Sequence, residues 1–231
     1  MGMEGRDDIL KQPIIFCDFD GTVTKKDNIA SIMERFAPPE CERLKNEILA
    51  QKISIQEGVG QMFELLPSSL QQDIIDFVLE TAEIREGFSD FVQYAKHQGI
   101  PLYIVSGGID FFVKPMLESF GSIADVYCNE ADFSGETIQI QWPHVCDDQC
   151  PNQNCGCCKP TIIRQLANAE VHTIVIGDSV TDLQAAKIAD TVIARDYLSE
   201  KCTTLSIPFQ SFETFYDCIE VLENLQGVRK K

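Results

Sequence analysis

Asp18 and Asp20 stand two residues apart in PIIFCDFDG, where a short apolar run closes at Gly21. In an extended chain such residues face the same side, which brings the two carboxylates together. Held that close they repel, unless a cation lies between them or one is protonated. GDSVTD supplies a second pair, Asp178 and Asp182, after another apolar run. Four residues apart, these share a face if a helix has begun by Ser179; the plainer alternative is that Asp178 or Ser179 caps that helix. Ser106-Gly107-Gly108 also follows an apolar run and precedes a helical pattern. Glycines let backbone approach an anion, and free N–H groups at a helix start bind phosphate, although alone the tripeptide is an ordinary turn. Several aspartates offer the hard oxygen ligands that suit Mg²⁺ beside a substrate phosphate. Lys159 offers an ammonium that could neutralise charge on a transferring phosphoryl group.

Immediately before Lys159, Cys146, Cys150, Cys155, Cys157 and Cys158 crowd into CDDQCPNQNCGCC. Their spacings lie near those of structural Zn²⁺ sites, which take four ligands, but five thiols leave the ligand set open. Loop thiols without metal and a redox-sensitive pair are the alternatives. Cys17, beside Asp18, is expected to be a small buried strand residue.

The elements that must position these groups follow from periodicity. PIIFCDFDG, PLYIVSGG (101–108) and TIVIGDS (173–179) are buried-strand runs, and DVYC (125–128) and TVIA (191–194) are shorter ones. Helical patterns occupy 88–99, 109–121, 160–167 and 181–190. This alternation predicts an α/β fold, a doubly wound Rossmann-like parallel sheet whose working residues collect at the carboxyl ends of strands. Residues 25–84 read as helices only, with breaks at Ala37-Pro38-Pro39, around Gln51 to Ser54, and at Pro67-Ser68-Ser69. They are expected to form a helical cap inserted after the first strand, on a core made of 1–24 and 85–231. ETIQIQW, after the turn Ser134-Gly135, predicts a hairpin strand.

Composition narrows the partners. A formal net charge of −17 argues against nucleic acid and anionic lipid, while leaving room for a small phosphate ester in a locally positive pocket. The apolar runs are too short to cross a bilayer, and MGMEGRDDILKQP lacks the apolar stretch of an export signal. Arg6 stands where a myristoylation motif would need Ser or Thr. Ten cysteines without an export signal fit a reducing cytoplasm, hence thiols or metal ligands rather than disulfides. Nothing in the sequence sets the oligomeric state.

Taken in order, D18-F-D20-G-T22, V105-S106-G-G, K159 and G177-D178-S-V-T-D182 resemble the four motifs of the haloacid-dehalogenase-like phosphohydrolases. The resemblance implies that Asp18 is the nucleophile and forms an aspartyl-phosphate, and that Asp20 protonates the leaving oxygen and then activates water. It implies phosphate contacts from Thr22, Ser106, Gly107 and Gly108, and a clamp from Lys159. Mg²⁺ would be held by Asp18, Asp178 and the Asp20 carbonyl, with Asp182 ligating or just behind. NIASIMERFAPPE, SGGIDFFVKPMLE, WPHVC and CGCCKP extend the resemblance to the methionine-salvage phosphatases of that family. Related enzymes acting on phosphoserine, phosphocholine or phosphoethanolamine are the alternative, and a zinc-binding interaction module is the non-enzyme one. Met33, Phe36, Met62 and Phe63 are expected to be helix packing, and Glu57, Arg85 and His144 solvated surface, rather than substrate contacts.

Overall fold

The computed structural model describes residues 11–50 and 52–229; the N-terminal stretch read for export and lipidation signals, and Gln51, lie outside the described residues. The chain runs β1 (Gln12–Cys17), α1 (Asn28–Phe36), α2 (Cys41–Leu49), α3 (Ile55–Glu64), α4 (Gln71–Thr81), α5 (Phe88–His97) and β2 (Leu102–Ile109). It continues with α6 (Asp110–Leu117), β3 (Asp125–Asp132), β4 (Gln139–Gln141), α7 (Lys159–Leu166), β5 (Val171–Gly177) and α8 (Leu183–Ala186). β6 (Thr191–Ala194), α9 (Asp196–Thr204), β7 (Gln210–Ser211) and α10 (Phe215–Arg229) complete it.

The strands form one sheet in the order β4-β3-β2-β1-β5-β6-β7, parallel except for β4, which pairs antiparallel with β3 as a hairpin partner. Alternation along β1 shows why it is central. Ile15 and Cys17 join one buried cluster with Ile104, Ile176, Phe88, Phe91 and Phe215, while Ile14 and Phe16 join another with Val105, Val175, Ile162 and Ile163. A strand with apolar side chains on both faces requires a layer of helices on each, the doubly wound arrangement expected from the sequence. β1 connects onward to β2 on one side and β5 to β6 on the other, so the switch point lies between β1 and β5.

Between β1 and α5 the chain leaves and returns along one short ribbon. Thr24 bridges Ile84 antiparallel, Lys25 N–H donates to Glu83 O (2.8 Å) and Arg85 N–H to Val23 O (2.7 Å). α1 to α4 lie within that excursion. Asp27 caps α1 and Ser54 caps α3 through their side-chain oxygens. Ser68-Ser69 opens only a 3₁₀ turn, with no side-chain cap, before α4. The four apolar residues read as packing behave so: Met33, Met62 and Phe63 are buried, and Phe36 meets Phe77 edge-on at 5.4 Å.

Three local expectations change. The helix over 181–190 is a 3₁₀ turn (Val180–Asp182) followed by the single turn of α8, because the capping box at Ser179 tightens its start. The ETIQIQW strand shrinks to Gln139–Gln141. After position 194, where the sequence suggested no elements, β7 joins the sheet edge, α9 packs on β6 through Leu198 and Cys202, and α10 packs against α5. α10 carries Phe215 into a fully buried aromatic cluster, 4.9 Å from Phe88 and 5.1 Å from Phe91. Phe88 also meets Phe120 at 4.9 Å, so it joins three segments that are distant in sequence. Phe88→Ala should therefore cost about 3–5 kcal/mol, measured as a lower urea midpoint with an unchanged slope.

Candidate active site

Register places the polar residues. Cys17 pairs with both Ile104 and Ile176, so Asp18 leaves β1 level with the turns that follow β2 and β5. Its N–H still donates to Ile176 O (2.9 Å), which fixes the direction in which its side chain departs. Ser106 lies just above Val105 in β2, Asp178 follows β5, and Lys159 is the first residue of α7. Four chain segments thus deliver their polar groups to the carboxyl end of the sheet at its switch point.

Lys159 organises the cluster. Its ammonium donates to Asp18 Oδ1 and Asp182 Oδ1, and it is 3.4 Å from Thr181 Oγ1. Asp18 and Lys159 are each 5% exposed and Asp182 is fully buried, so these ion pairs are largely shielded from water. The other Asp182 oxygen accepts from the N–H groups of Asp178 (3.1 Å) and Ser179 (3.0 Å) and from the Ser179 hydroxyl (3.2 Å). Of the two caps open in the sequence, Asp178 or Ser179, Ser179 is the one used, and Asp182 closes its capping box while also pairing with Lys159. Thr22, fully buried, donates its hydroxyl to Asp178 Oδ1 (2.7 Å) rather than standing free.

Asp20 is held separately. Its Oδ1 accepts from the N–H (3.0 Å) and the side-chain amide (2.6 Å) of buried Asn28 at the start of α1. Ser106 Oγ lies 3.4 Å from Oδ2 and accepts from Gly108 N–H (2.9 Å). A Cβ at Gly108 would sit 2.5 Å from Asp20 Oδ2, and one at Gly21, already at φ +83°, would collide with the Asp178 carboxylate. Both glycines are demanded by close approach. Gly107 instead faces open space, while its carbonyl accepts from Asn129 Nδ2 (2.8 Å).

Charge is unbalanced at this edge. Burial, then the Asp182 carboxylate, pushes Asp18 well above the usual carboxylate range and Asp178 up to about 6. Burial and Asp27 push Asp20 up to about 7, against the hydrogen bonds from Asn28. Burial alone would discharge Lys159, but Asp18 and Asp182 outweigh it and keep the ammonium charged. Burial raises the Cys17 thiol, in keeping with a packing residue. Asp18, Asp178 and Asp182 each place an oxygen within 4.8 Å of the others, against a single ammonium among the described residues. Hard carboxylate donors carrying surplus negative charge fit a divalent cation such as Mg²⁺.

Asp18, Asp20, Thr22, Ser106, Gly107, Gly108, Lys159, Asp178 and Asp182 therefore converge. Of the cysteines, Cys146, Cys150, Cys155 and Cys158 bring their sulfurs within 4.8 Å of one another, and Cys157 does not join them. As the neighbour of Cys158 it points the other way, into the apolar cluster with Phe16 and Ile162, its thiol 3.7 Å from Tyr127 O. Arg85 also corrects an expectation, because it is buried rather than solvated. Its guanidinium donates to Gly21 O (2.6 Å) and Thr22 O (2.8 Å), tying the Asp18–Thr22 loop to the ribbon. Glu57 is exposed and His144 half-buried against Tyr127. Asn28 and Asn129 escaped the sequence reading; DNIA, with its Asp-Asn helix start, carried the only signal for Asn28.

A buried nucleophile candidate, a paired lysine and clustered carboxylates on a doubly wound sheet define a phosphoryl-transfer type of site. The model for haloacid dehalogenase-like hydrolases matches residues 15–187, and the chain belongs to that family. It is 57% identical over 218 residues, 94% of this chain and 99% of the relative, to 2-hydroxy-3-keto-5-methylthiopentenyl-1-phosphate phosphatase of Geobacillus kaustophilus. A protein of the same name from Brevibacillus brevis is 57% identical over 94% of this chain and 97% of its own length. Among solved structures, a phospho-aspartyl intermediate analogue of phosphoserine phosphatase superposes with a TM-score of 0.69 at 21% identity, covering 93% of this chain and 99% of its own. That likeness shows the shared fold.

The raised carboxylates fix the sign of a pH effect. Asp20 and Asp178 hold protons in the folded chain at pH values where the unfolded chain, near 3.8, has released them. These two groups then bind more protons in the native state between about pH 4 and 7, so their contribution to stability falls as pH rises through that window. Asp147, Asp190 and Asp217 are shifted downward, and their opposing contribution is complete above that lower bound. Chelator-treated protein should melt lower at about pH 7.5 than at about pH 5, with Mg²⁺ raising the melting temperature more at the higher pH. Asp178→Asn should flatten this slope in thermal scans.

Proposed function

We propose that this chain hydrolyses 2-hydroxy-3-keto-5-methylthiopentenyl-1-phosphate to 1,2-dihydroxy-3-keto-5-methylthiopentene and phosphate, a step of methionine salvage. Identity of 57% across nearly the full length of a relative bearing that phosphatase's name, with all four motifs intact, carries this reading. Asp18 attacks phosphorus as the nucleophile, and the ester oxygen leaves with a proton from Asp20. Asn28 occupies Asp20 Oδ1 with two donors, which leaves Oδ2 as the oxygen able to carry that proton. A carboxyl with its pKa near 7 suits both duties, first giving the proton and then taking one from the water that attacks the aspartyl-phosphate. That second displacement frees phosphate and restores the Asp18 carboxylate.

Lys159 holds Asp18 in place and balances part of the charge it meets. Ser106 and the open Gly107 backbone are assigned to phosphate, with Gly108 shaping the turn. Thr22 is assigned to fixing Asp178. Bound by Asp18, Asp178 and the Asp20 carbonyl, Mg²⁺ would supply neutralisation of the phosphate oxygens. Asp182, with one oxygen on Lys159 and the other on backbone N–H groups, orients these ligands from behind.

The proposed organisation is a core of 1–24 and 85–231 with a helical cap of 25–84, joined by the Thr24–Ile84 ribbon. No helix among the described residues is long and apolar enough to cross a membrane. The cytoplasm is proposed as its location, with a small phosphate ester rather than nucleic acid or membrane as its partner.

Phosphate release with Mg²⁺ should favour the salvage ester over phosphoserine, phosphocholine and phosphoethanolamine. Preference for any of those three would overturn the substrate assignment. Asp18→Asn should lower kcat by about a thousandfold or more with the fold retained by circular dichroism. Chelation should abolish turnover, and added Mg²⁺ should restore it.

A further inference from the structure

We propose that Cys146, Cys150, Cys155 and Cys158 bind one Zn²⁺ ion as a tetrathiolate site, separate from the carboxylate cluster. All four sulfurs lie within 4.8 Å of one another. Zn–S bonds of about 2.3 Å place sulfurs about 3.8 Å apart at the corners of a tetrahedron. Cys150 and Cys155 stand at 3.7 Å, which matches that edge and is far beyond the S–S bond length of about 2.05 Å. The exclusion of Cys157, buried beneath the loop, makes the ligand set unique.

The surroundings are those of a thiolate site. Thr161 donates its hydroxyl to Cys158 Sγ (3.0 Å) and in turn accepts from Asp147 N–H (3.0 Å). Such outer contacts orient a ligand and stabilise its negative sulfur. Gln153 and Asn154 take left-handed conformations at φ 52° and 50°, and Gly156 follows at 79°. Two non-glycine residues in that region need something that over-determines the loop, and a four-point metal anchor does so. Four thiols bind as thiolates, releasing their protons to solvent with no redox step.

The position of the ion gives it a purpose. Cys158 is the residue before α7, whose first residue is Lys159, and its N–H donates to His144 O (2.9 Å). On the other side of the loop, Asn154 O accepts from Gln56 N–H of α3 (3.3 Å). The Trp142 ring packs where Gly60 of α3 and Gly156 of the loop each lack a side chain. Zinc therefore braces the turn that projects Lys159 and the surface on which α3 rests.

Elemental analysis tests this on full-length protein purified without chelator. About one zinc per chain is expected. Cys150→Ser and Cys155→Ser should lose it, while Cys157→Ala should keep it. Should the serine variants fail to fold, Co²⁺ exchanged into the unaltered chain should give the thiolate charge-transfer bands and intense visible bands of a tetrahedral ion. Each of three results overturns the proposal. These are zinc well below stoichiometry with no Co²⁺ uptake, a Cys150–Cys155 disulfide found by mass spectrometry, and iron in place of zinc. None of these readouts uses phosphate release, so the site and the proposed hydrolysis fail or stand separately.

Discussion

One ammonium against several carboxylates, out of water, is the constraint around which the rest of this molecule is arranged. Removing even one ion from water costs several kcal/mol after relaxation. Here Lys159 bonds Asp18 and Asp182, with Asp178 close by and, among the described residues, no second lysine or arginine on these carboxylates. The protein offsets the deficit with dipoles. Backbone N–H groups and the Ser179 hydroxyl converge on Asp182, the Thr22 hydroxyl on Asp178, and two Asn28 donors on Asp20. The remaining imbalance shows as raised carboxylate pKa values, and it is this residue of uncompensated charge that gives a divalent cation and a proton somewhere to go.

The same constraint explains Arg85. Among the described residues its guanidinium has no bonded carboxylate partner; it donates to the carbonyls of Gly21 and Thr22, with 3.4 Å contacts to Thr24 O and Glu213 O. Those carbonyls belong to the loop that carries Asp20 and Thr22. A charged donor to neutral acceptors is stronger than an ordinary hydrogen bond, and Arg supplies several in a fixed fork. Phe212 lies against the guanidinium, 5.9 Å from ring centroid to charge, with Arg195 at 5.5 Å from the same ring. Strand-end loop, ribbon and C-terminal elements are thereby joined at one cation, so the edges of the helical insert and the site share a support.

What could be seen in the sequence follows from how each group is positioned. Asp18, Asp20, Ser106, Asp178 and Asp182 announce themselves because each closes an apolar strand run, and a parallel sheet sends all such closures to one edge. Lys159 lacks that local signal, and it was legible through its order among the other motifs. Arg85 was misjudged because its burial depends on carbonyls some sixty residues earlier, a partnership no periodicity encodes. Cys157 and Cys158 illustrate the reverse problem. Adjacent side chains diverge at the entry to α7, one towards Phe16 and Ile162 and the other towards the thiol cluster, so counting cysteines could not choose among five. The elements after 194 were missed because their apolar residues divide between two separate clusters rather than forming one long stripe, and the hydrophobic face of α10 is weak despite its length.

Two clusters of ligating side chains so near in sequence raise the question of how each would keep its own ion. Cys158 of the sulfur set is one peptide bond from Lys159, which bonds two of the three clustered carboxylates. Donor chemistry does the sorting: thiolates prefer zinc and bind Mg²⁺ poorly, whereas a small set of carboxylates beside a phosphate suits Mg²⁺. Geometry adds to it. Lys159 bonds two of the three clustered carboxylates, and a cation competing for them must share that space with an ammonium, which disfavours a tightly held ion there. Among the described residues no cation bonds the sulfurs: Lys159, next to Cys158, is turned to Asp18 and Asp182, and Arg164 of α7 is engaged by Asp147. A permanent ion at the sulfur corner and an exchangeable one at the oxygen corner is therefore the division that these residues favour, with the rigid corner setting the position of the lysine that serves the working one.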